Sequence, residues 1–239
     1  MPTEVASQFV KHRTSGMWIR PEYASQDVAV ISEVIMSDGY FTSLRGTHGE
    51  GEIVVDIGAH IGSFAKLWHT KNPLAKIVCV EACQDNIEVL TKNVGEFATV
   101  LHAACSYEPG DLALLNSVKA NGTATGGSVV IPSDDIDTPC QHFHWKDSRP
   151  LAKITLEEIM EALGTDHIDV LKLDCEGSEF SILENTPSLD RIGIMFGEYH
   201  GQARWDKMRA RQLKGWDYGH MHAGGDLGIF HYVNPKGAP

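Results

Sequence analysis

Short apolar runs alternate with segments of helical periodicity through the first half of the chain. Residues 53–57 and 77–80 are predominantly apolar runs of strand length, whereas residues 61–69 and 85–94 repeat apolar side chains three and four positions apart. Strands that alternate with amphipathic helices form parallel βαβ units with right-handed crossovers. The pattern therefore predicts an α/β fold with a mostly parallel sheet.

The same alternation continues toward the C-terminus and then changes. Further strands are predicted at residues 99–105, 168–173 and 192–196, and further helices at residues 155–163, 178–183 and 203–213. The last two β-like segments, residues 216–221 and 227–233, flank Ala223-Gly224-Gly225-Asp226, which is typical of a hairpin turn. We therefore expect a Rossmann-like, mostly parallel seven-stranded sheet that ends in a C-terminal antiparallel hairpin.

Two regions lie outside this alternation. Residues 27–36 place Val28, Ile31 and Ile35 on one helical face, so residues 1–52 are expected to form a helical flank or lid, with residues 23–40 folding over a pocket. Residues 53–239 would form the main part of a single domain.

The middle of the chain carries weaker signals. Residues 121–128 are rich in glycine and threonine and are interpreted as a loop between β-like runs. Residues 132–150 are acidic, bounded by prolines and without periodicity, so they are expected to form a surface insertion.

Composition limits the possible partners. The chain has 239 residues, 42% hydrophobic and 22% charged, which suits one globular domain. A net charge of −12 disfavours nucleic acid as a partner, since binding to phosphates depends on Lys and Arg. No stretch approaches the roughly 18 apolar residues of a membrane span, so a cytoplasmic protein without a membrane partner is expected.

The most informative motif follows the first core strand. Asp56-Ile57-Gly58-Ala59-His60-Ile61-Gly62 has the spacing Asp-x-Gly-x-x-x-Gly, and the next strand ends at the acid Glu81. Glycines allow close backbone approach to a ligand, and an acid at the second strand tip can accept ribose hydroxyl protons. This looks like the S-adenosylmethionine (SAM) site of a class I methyltransferase. The candidate cofactor residues are Asp56, Gly58, Ala59, Gly62, Glu81, Ala82, Ala103 and Asp174.

Two further clusters of polar residues follow later strands. Asp174 ends the predicted strand at residues 168–173, so it is expected at the same sheet edge as Asp56 and Glu81. Glu198 and His200 stand two apart after the fifth strand, which places both side chains on one side of an extended chain. The proposed catalytic residues are His200 as proton acceptor, Glu198 as the group that orients it, and Asp174 as the alternative base.

Metal binding is the chemical alternative. His142-x-His144 and His220-x-His222 have spacings compatible with a divalent ion, and Asp174, Glu176 and Glu198 could hold magnesium. No sequence rule brings the histidine pairs together. Histidines of a loop and a hairpin are the favoured interpretation, and no metal is predicted.

With these residues in place, the chain resembles the FkbM family of SAM-dependent methyltransferases. The resemblance rests on the Asp56 turn, Glu81, Thr155-Leu156-Glu157-Glu158-Ile159, Glu198-Tyr199-His200 and above all Lys172-Leu173-Asp174-Cys175-Glu176-Gly177-Ser178-Glu179. It implies a Rossmann-like fold, SAM as cofactor and transfer of a methyl group to a hydroxyl of a small molecule, such as a sugar or polyketide.

The sequence departs from the family pattern at two places. Cys175 stands where a branched aliphatic residue is usual, and residues 132–150 match no pattern, so the acceptor pocket has no sequence signal. Two alternatives stay open: an NAD-dependent oxidoreductase, disfavoured by the missing Gly-x-Gly-x-x-Gly and by the hairpin, and a non-catalytic SAM-binding domain. No motif identifies the acceptor or the oligomeric state.

Overall fold

The structure is a computed structural model that describes residues 9–36, 49–119, 122–133, 143–147, 149, 151–224 and 226–236. The strands are β1 (Val10–Lys11), β2 (Trp18–Ile19), β3 (Ile53–Ile57), β4 (Lys76–Glu81), β5 (Ala98–His102), β6 (Ala104–Cys105), β7 (Leu112–Lys119), β8 (Gly122–Pro132), β9 (Phe143–Asp147), β10 (Lys153–Ile154), β11 (Ile168–Leu173), β12 (Ile192–His200), β13 (Asp217–Gly224) and β14 (Leu227–Val233). The α-helices are α1 (Ala24–Ile31), α2 (Ser63–Lys71), α3 (Gln84–Val94), α4 (Leu156–Leu163), α5 (Ser178–Asn185) and α6 (Gln202–Gln212).

A seven-stranded sheet in the order β13-β14-β12-β11-β3-β4-β5 forms the centre of the fold. The five strands from β12 to β5 pair in parallel, whereas β14 is antiparallel to β12 and β13 is antiparallel to β14. The predicted α/β architecture, including the C-terminal hairpin, is therefore confirmed.

Helices cover both faces of this sheet, which explains why its central strands are continuously apolar. All five residues of β3 are buried. On one face Phe64 and Trp68 of α2 belong to a buried cluster that also contains Leu90 of α3, and on the other face a second cluster contains Ile159 of α4 and Trp205 of α6. Burial of both faces fixes the strand tips rigidly along one edge.

Helix α4 begins as its sequence predicts. The Thr155 hydroxyl accepts from the Glu158 amide, and the Glu158 carboxylate accepts from the Thr155 amide at 2.8 Å. This reciprocal capping box satisfies two amide donors that the first turn would otherwise leave unpaired.

The interpretation of residues 121–128 as a loop is wrong. Strand β8 begins at Gly122 and pairs antiparallel with β7, which also pairs with β9 in a separate three-stranded sheet. Cross-strand hydrogen bonds and packing decide strand formation at such positions more than the small, turn-forming side chains do. Strand β9 falls inside the segment 132–150, so part of the expected insertion has regular structure, while residues 134–142 lie outside the described residues.

The N-terminal segment packs against the sheet domain. Helix α1 continues into a π-helical turn at Ser32–Met36, and the side chains of Ile31 and Val34 are buried against the domain. The predicted helix is thus present up to residue 36, and residues 37–40 of the expected lid lie outside the described residues. Within the part of the chain that the structure describes, no helix is both long and apolar enough to cross a bilayer.

Candidate active site

A cavity of about 810 Å³ lies at the carboxyl ends of the parallel strands. This is where open α/β sheets bind their ligands, since the loops after the strands meet there. Residues at the carboxyl ends of β3, β4, β11 and β12 line one side of the cavity. Helix α1 contributes Gln26 and Val30 to the lining, and strands β7 and β8 contribute Leu114 and Ser128. Helix α1 and strand β8 contact each other, since an added Cβ at Gly126 would lie 2.4 Å from Gln26 Nε2.

The turn after β3 depends on Gly58. Its φ is +76°, and a Cβ at this position would lie 1.8 Å from the backbone oxygen of Asp174. The Gly58 amide donates to Val80 O at 2.9 Å, which draws the turn toward the neighbouring strand as well. Glycine is required here because any side chain would push the tips of β3 and β11 apart.

The Glu81 carboxylate is buried beside this turn and accepts three hydrogen bonds. Its Oε2 accepts from the His60 amide at 2.7 Å, and its Oε1 accepts from the Cys83 amide at 2.8 Å and from Asn86 Nδ2 at 3.1 Å. Burial raises the pKa of Glu81, and these hydrogen bonds oppose that shift. A carboxylate offers about four acceptor positions, so about one more donor can bind at Oε2.

Lys172 lies beneath the cavity and joins the two strand tips. Its Nζ donates to Gly58 O at 2.7 Å and lies 3.1 Å from Asp56 Oδ1 and 3.6 Å from Asp174 Oδ2. Burial opposes the charge on this lysine, but the two carboxylates outweigh it and raise the pKa of Lys172. A lysine inside an otherwise apolar strand is a sequence signal for such a buried ion pair.

His200 has different partners from the one predicted. Its Nε2 lies 3.0 Å from Glu176 Oε2, its Nδ1 lies 3.3 Å from Glu179 Oε1, and its amide donates to Glu179 at 2.8 Å. Burial lowers the pKa of His200, but these two carboxylates raise it overall to about 10. The orienting groups are therefore Glu176 and Glu179 rather than Glu198, and the imidazole is protonated at neutral pH.

Glu198, and not His200, has a pKa near neutral pH. Burial, together with the nearby charges of Asp174 and Glu33, raises the pKa of Glu198 to about 7. Glu33, from the π-helical turn of the N-terminal segment, shares a hydrogen bond with Glu198, and both side chains line the cavity. A carboxyl group poised near neutral pH can accept a proton under working conditions.

The structure brings most of the predicted site residues together. Those that line the cavity are Gly58, Ala59, Glu81, Ala82, Ala103, Asp174 and Glu198. The described lining of the cavity does not include Asp56, Gly62 or His200. Asp56 is completely buried against Lys172, and Gly62, with φ +86°, immediately precedes α2 and lies against the side chains of Leu90 and Val94.

Sequence reasoning assigned no role to several residues at this site. His60, Glu33 and Ser128 line the cavity, and Glu179 holds His200. His60 adopts a positive φ of 49°, and burial, then Arg20 and Lys172, lower its pKa to about 3, so it is neutral. Non-glycine residues with positive φ concentrate at functional sites, but this conformation has no marker in the sequence.

The described strands that contain paired histidines belong to different sheets. Strand β9 contains His144, strand β13 contains His220 and His222, and His142 lies outside the described residues. Among the residues that the structure describes, no group of three His, Cys, Asp or Glu side chains could hold a metal ion.

A parallel sheet with a terminal antiparallel hairpin and a cavity at its strand tips defines a class I methyltransferase fold. A family model described as "Methyltransferase FkbM domain" matches residues 56–222. The chain therefore belongs to the FkbM methyltransferase family, as the resemblance predicted, and the family favours a methyltransferase over the oxidoreductase alternative. No curated protein sequence matches the chain.

Solved structures that resemble the chain are distant from it in sequence. A methyltransferase FkbM from Methylobacillus flagellatus KT is 16% identical, with 81% of this chain and 46% of that chain covered and a TM-score of 0.43. A precorrin-6y C5,15-methyltransferase from Geobacter metallireducens GS-15 is 12% identical, with 80% and 83% covered and a TM-score of 0.42. The plantazolicin methyltransferase BpumL, in complex with S-adenosylhomocysteine (SAH), is 9% identical, with 89% and 87% covered and a TM-score of 0.44.

Proposed function

We propose that this protein transfers a methyl group from SAM to a hydroxyl group of a small molecule. The observation that carries the proposal is the cavity itself. All the residues that the sequence suggested for the cofactor, apart from Asp56 and Gly62, line one cavity at the carboxyl edge of the sheet.

The residues present fit SAM. A cavity of about 810 Å³ lies within the range of roughly 300–1,000 Å³ that is usual for cofactor sites. Gly58 lets the backbone come close to the ligand, and Glu81 has about one acceptor position left for a ribose hydroxyl. Ala82 and Ala103 are small side chains next to that acid, where an adenine ring would lie. Asp174 is a candidate partner for the cofactor's amino group.

The charges in the cavity favour an acceptor that is neutral or positively charged. Carboxyl groups of Glu22, Glu33, Asp174, Glu176 and Glu198 line it, whereas Lys172 is the basic residue among its described lining. An anionic acceptor would be repelled by these carboxylates. The same argument disfavours nucleic acid as a partner, together with the net charge of −12.

Glu198 is the proposed general base, in place of His200. Its carboxyl group lines the cavity, and the pKa of Glu198 is about 7. His200 is protonated and held by two carboxylates, so it has no capacity to accept a proton near neutral pH. Its charge instead keeps Glu176 and Glu179 in fixed positions.

When bound, SAM supplies an electrophilic methyl group on its sulfonium sulfur. The chain would hold the acceptor hydroxyl in line with that methyl group, which is the main source of acceleration in such displacements. Glu198 would accept the proton that the acceptor hydroxyl gives up as its oxygen takes the methyl group from the sulfonium sulfur. The products are the methylated acceptor and SAH.

Calorimetry and a methyl-transfer assay test this proposal in two stages. SAH should bind the wild-type chain, and labelled methyl groups should pass from SAM to members of a panel of neutral polyols and amino sugars. With a verified acceptor, Glu198→Gln should keep SAH affinity and lose about 10²-fold or more in turnover, as expected for a missing general base. His200→Gln should lose much less.

Each stage has an outcome that contradicts the proposal. Failure to bind either SAM or SAH would remove the cofactor assignment. Binding without transfer to any acceptor would favour the non-catalytic alternative. Full turnover in Glu198→Gln would remove Glu198 from the chemistry and leave Asp174 as the candidate base.

A further inference from the structure

Arg20 is a buried arginine of the N-terminal segment, far in sequence from the strand tips. The residue is 2% exposed, and its guanidinium pairs with Asp27 of α1 through Nε at 3.1 Å and Nη2 at 2.5 Å. Burying a charged group costs free energy, and the ion pair with Asp27 offsets part of that cost.

The same guanidinium also contacts residues next to the site. Arg20 Nη1 donates to Asn86 Oδ1 at 2.7 Å and to Asp85 O at 3.0 Å, and Nη2 lies 3.4 Å from His60 Nε2. A guanidinium only donates hydrogen bonds, so the Asn86 atom that faces it must be the amide oxygen. The amide nitrogen of Asn86 must then face the other way.

That nitrogen donates to the Glu81 carboxylate, at 3.1 Å. His60, which Arg20 also contacts, donates its backbone amide to Glu81 at 2.7 Å. Arg20 therefore contacts two of the residues that hold Glu81 and fixes the direction of one hydrogen bond. It does so without lining the cavity itself.

We propose that Arg20 is a positioning residue for the cofactor: it holds Glu81 in place through Asn86 and His60, and its ion pair with Asp27 anchors the guanidinium to α1. The inference rests on the proposed SAM site. Arg20 connects two parts of the chain beside the proposed SAM site: the acid at the tip of β4 and helix α1. Cofactor affinity should therefore depend on a residue that the cofactor does not touch.

A double-mutant cycle measured by calorimetry with SAH tests the link. Arg20→Gln should weaken SAH binding about tenfold, since hydrogen bonds to charged groups are lost along the chain to Glu81. If Arg20 acts through Glu81, the double variant Arg20→Gln with Glu81→Gln should bind no more than about twofold more weakly than Glu81→Gln alone. Losses that multiply would overturn the proposal, because Arg20 would then act independently of Glu81.

A second variant covers the case in which Arg20→Gln does not fold, since it leaves Asp27 unpaired. Asn86→Ala keeps the Arg20–Asp27 pair and the contact with His60, and it removes the connection to Glu81 that runs through Asn86. It should also weaken SAH binding and should not add to the loss in Glu81→Gln. Unchanged SAH affinity in Asn86→Ala would overturn the proposal.

Arg149 provides the matched control. It is an exposed arginine whose Nη1 lies 3.1 Å from Asp85 Oδ1, next to Asn86 on the same helix. Arg149→Gln should leave SAH affinity unchanged, and an equal loss there would show a general charge effect and overturn the proposal. Unchanged SAH affinity in Glu81→Gln would contradict the proposed cofactor site. If Glu81→Gln weakens SAH binding and Arg20→Gln does not, the role of Arg20 is contradicted and the proposed function is not.

Discussion

Lys172 Nζ lies 3.1 Å from Asp56 Oδ1, and the two side chains are 5% and 0% exposed. The acid that opens the glycine motif therefore supports the site from below and does not line the cavity. Because Lys172 also contacts Gly58 O and Asp174, this pair holds two strand tips at a fixed separation. Asp56 of the glycine motif and Lys172 of the family signature therefore form one ion pair.

Removal of one member of this pair should destabilise the fold. Asp56→Ala leaves a buried ammonium with less compensation, and breaking such pairs costs roughly 3–5 kcal/mol. Urea denaturation should show this loss. The double variant Asp56→Leu with Lys172→Met should recover part of it, since neither charge is then buried. An Asp56→Ala variant as stable as wild type would show that the Asp56–Lys172 pair does not stabilise the fold.

Gly58→Ala should destabilise the protein far more than Gly110→Ala. The two glycines have nearly equal φ values, +76° and +78°, but a Cβ at Gly58 would lie 1.8 Å from a backbone oxygen and one at Gly110 would contact nothing within 4 Å. The comparison separates the steric clash from the backbone strain, which by itself costs about 1 kcal/mol. Equal melting temperatures for the two variants would show that β3 and β11 can move apart.

Glu81→Ala should weaken SAH binding by roughly 1.5–3 kcal/mol, because a hydrogen bond to a charged group is lost. Titration calorimetry measures the loss directly. Glu96→Ala, which removes an exposed carboxylate just after α3, is the control and should bind as the wild type does. Wild-type affinity in Glu81→Ala would mean that SAH binds elsewhere.

Glu198→Gln should stabilise the protein above neutral pH. The folded-state pKa of Glu198, about 7, is higher than its ordinary value of 4.5, so the folded state favours the protonated form. The stability that this proton contributes is fully present below pH 4.5 and is lost as the pH rises through about 7. Thermal melts should therefore show the variant gaining most over wild type at pH 8 and least at pH 4.5, and a gain independent of pH would contradict the raised pKa.

His200→Gln should lose the thermal stability that a protonated histidine contributes. The folded-state pKa of His200, about 10, is higher than its ordinary value of 6.5. Its stabilisation is fully present below pH 6.5 and is lost as the pH rises through about 10. The difference in melting temperature between wild type and variant should shrink across that window. A difference that grows with pH would show that His200 is neutral and would restore it as a candidate base.

The strand tips were the most predictable part of the site. Each acid or glycine there follows an apolar run of strand length, so the sequence alone places Gly58, Glu81 and Asp174 at one edge of the sheet. The roles of Glu198 and His200 could not be divided in the same way. Alternation along β12 puts them on one side, but the partners of His200 come from the loop and helix that follow β11.

The sequence by itself determined the order of strands and helices of the central seven-stranded sheet, its C-terminal hairpin and the family, because periodicity and motif spacing are local properties of the chain. The tertiary structure decided the partners of Asp56 and His200, the strand at residues 122–132 and the contacts of Arg20 with Asn86 and His60. The physical reason is that pKa values and ion pairs depend on burial and on distances between residues far apart in the chain. Those quantities exist only once the sheet and its covering helices are packed together.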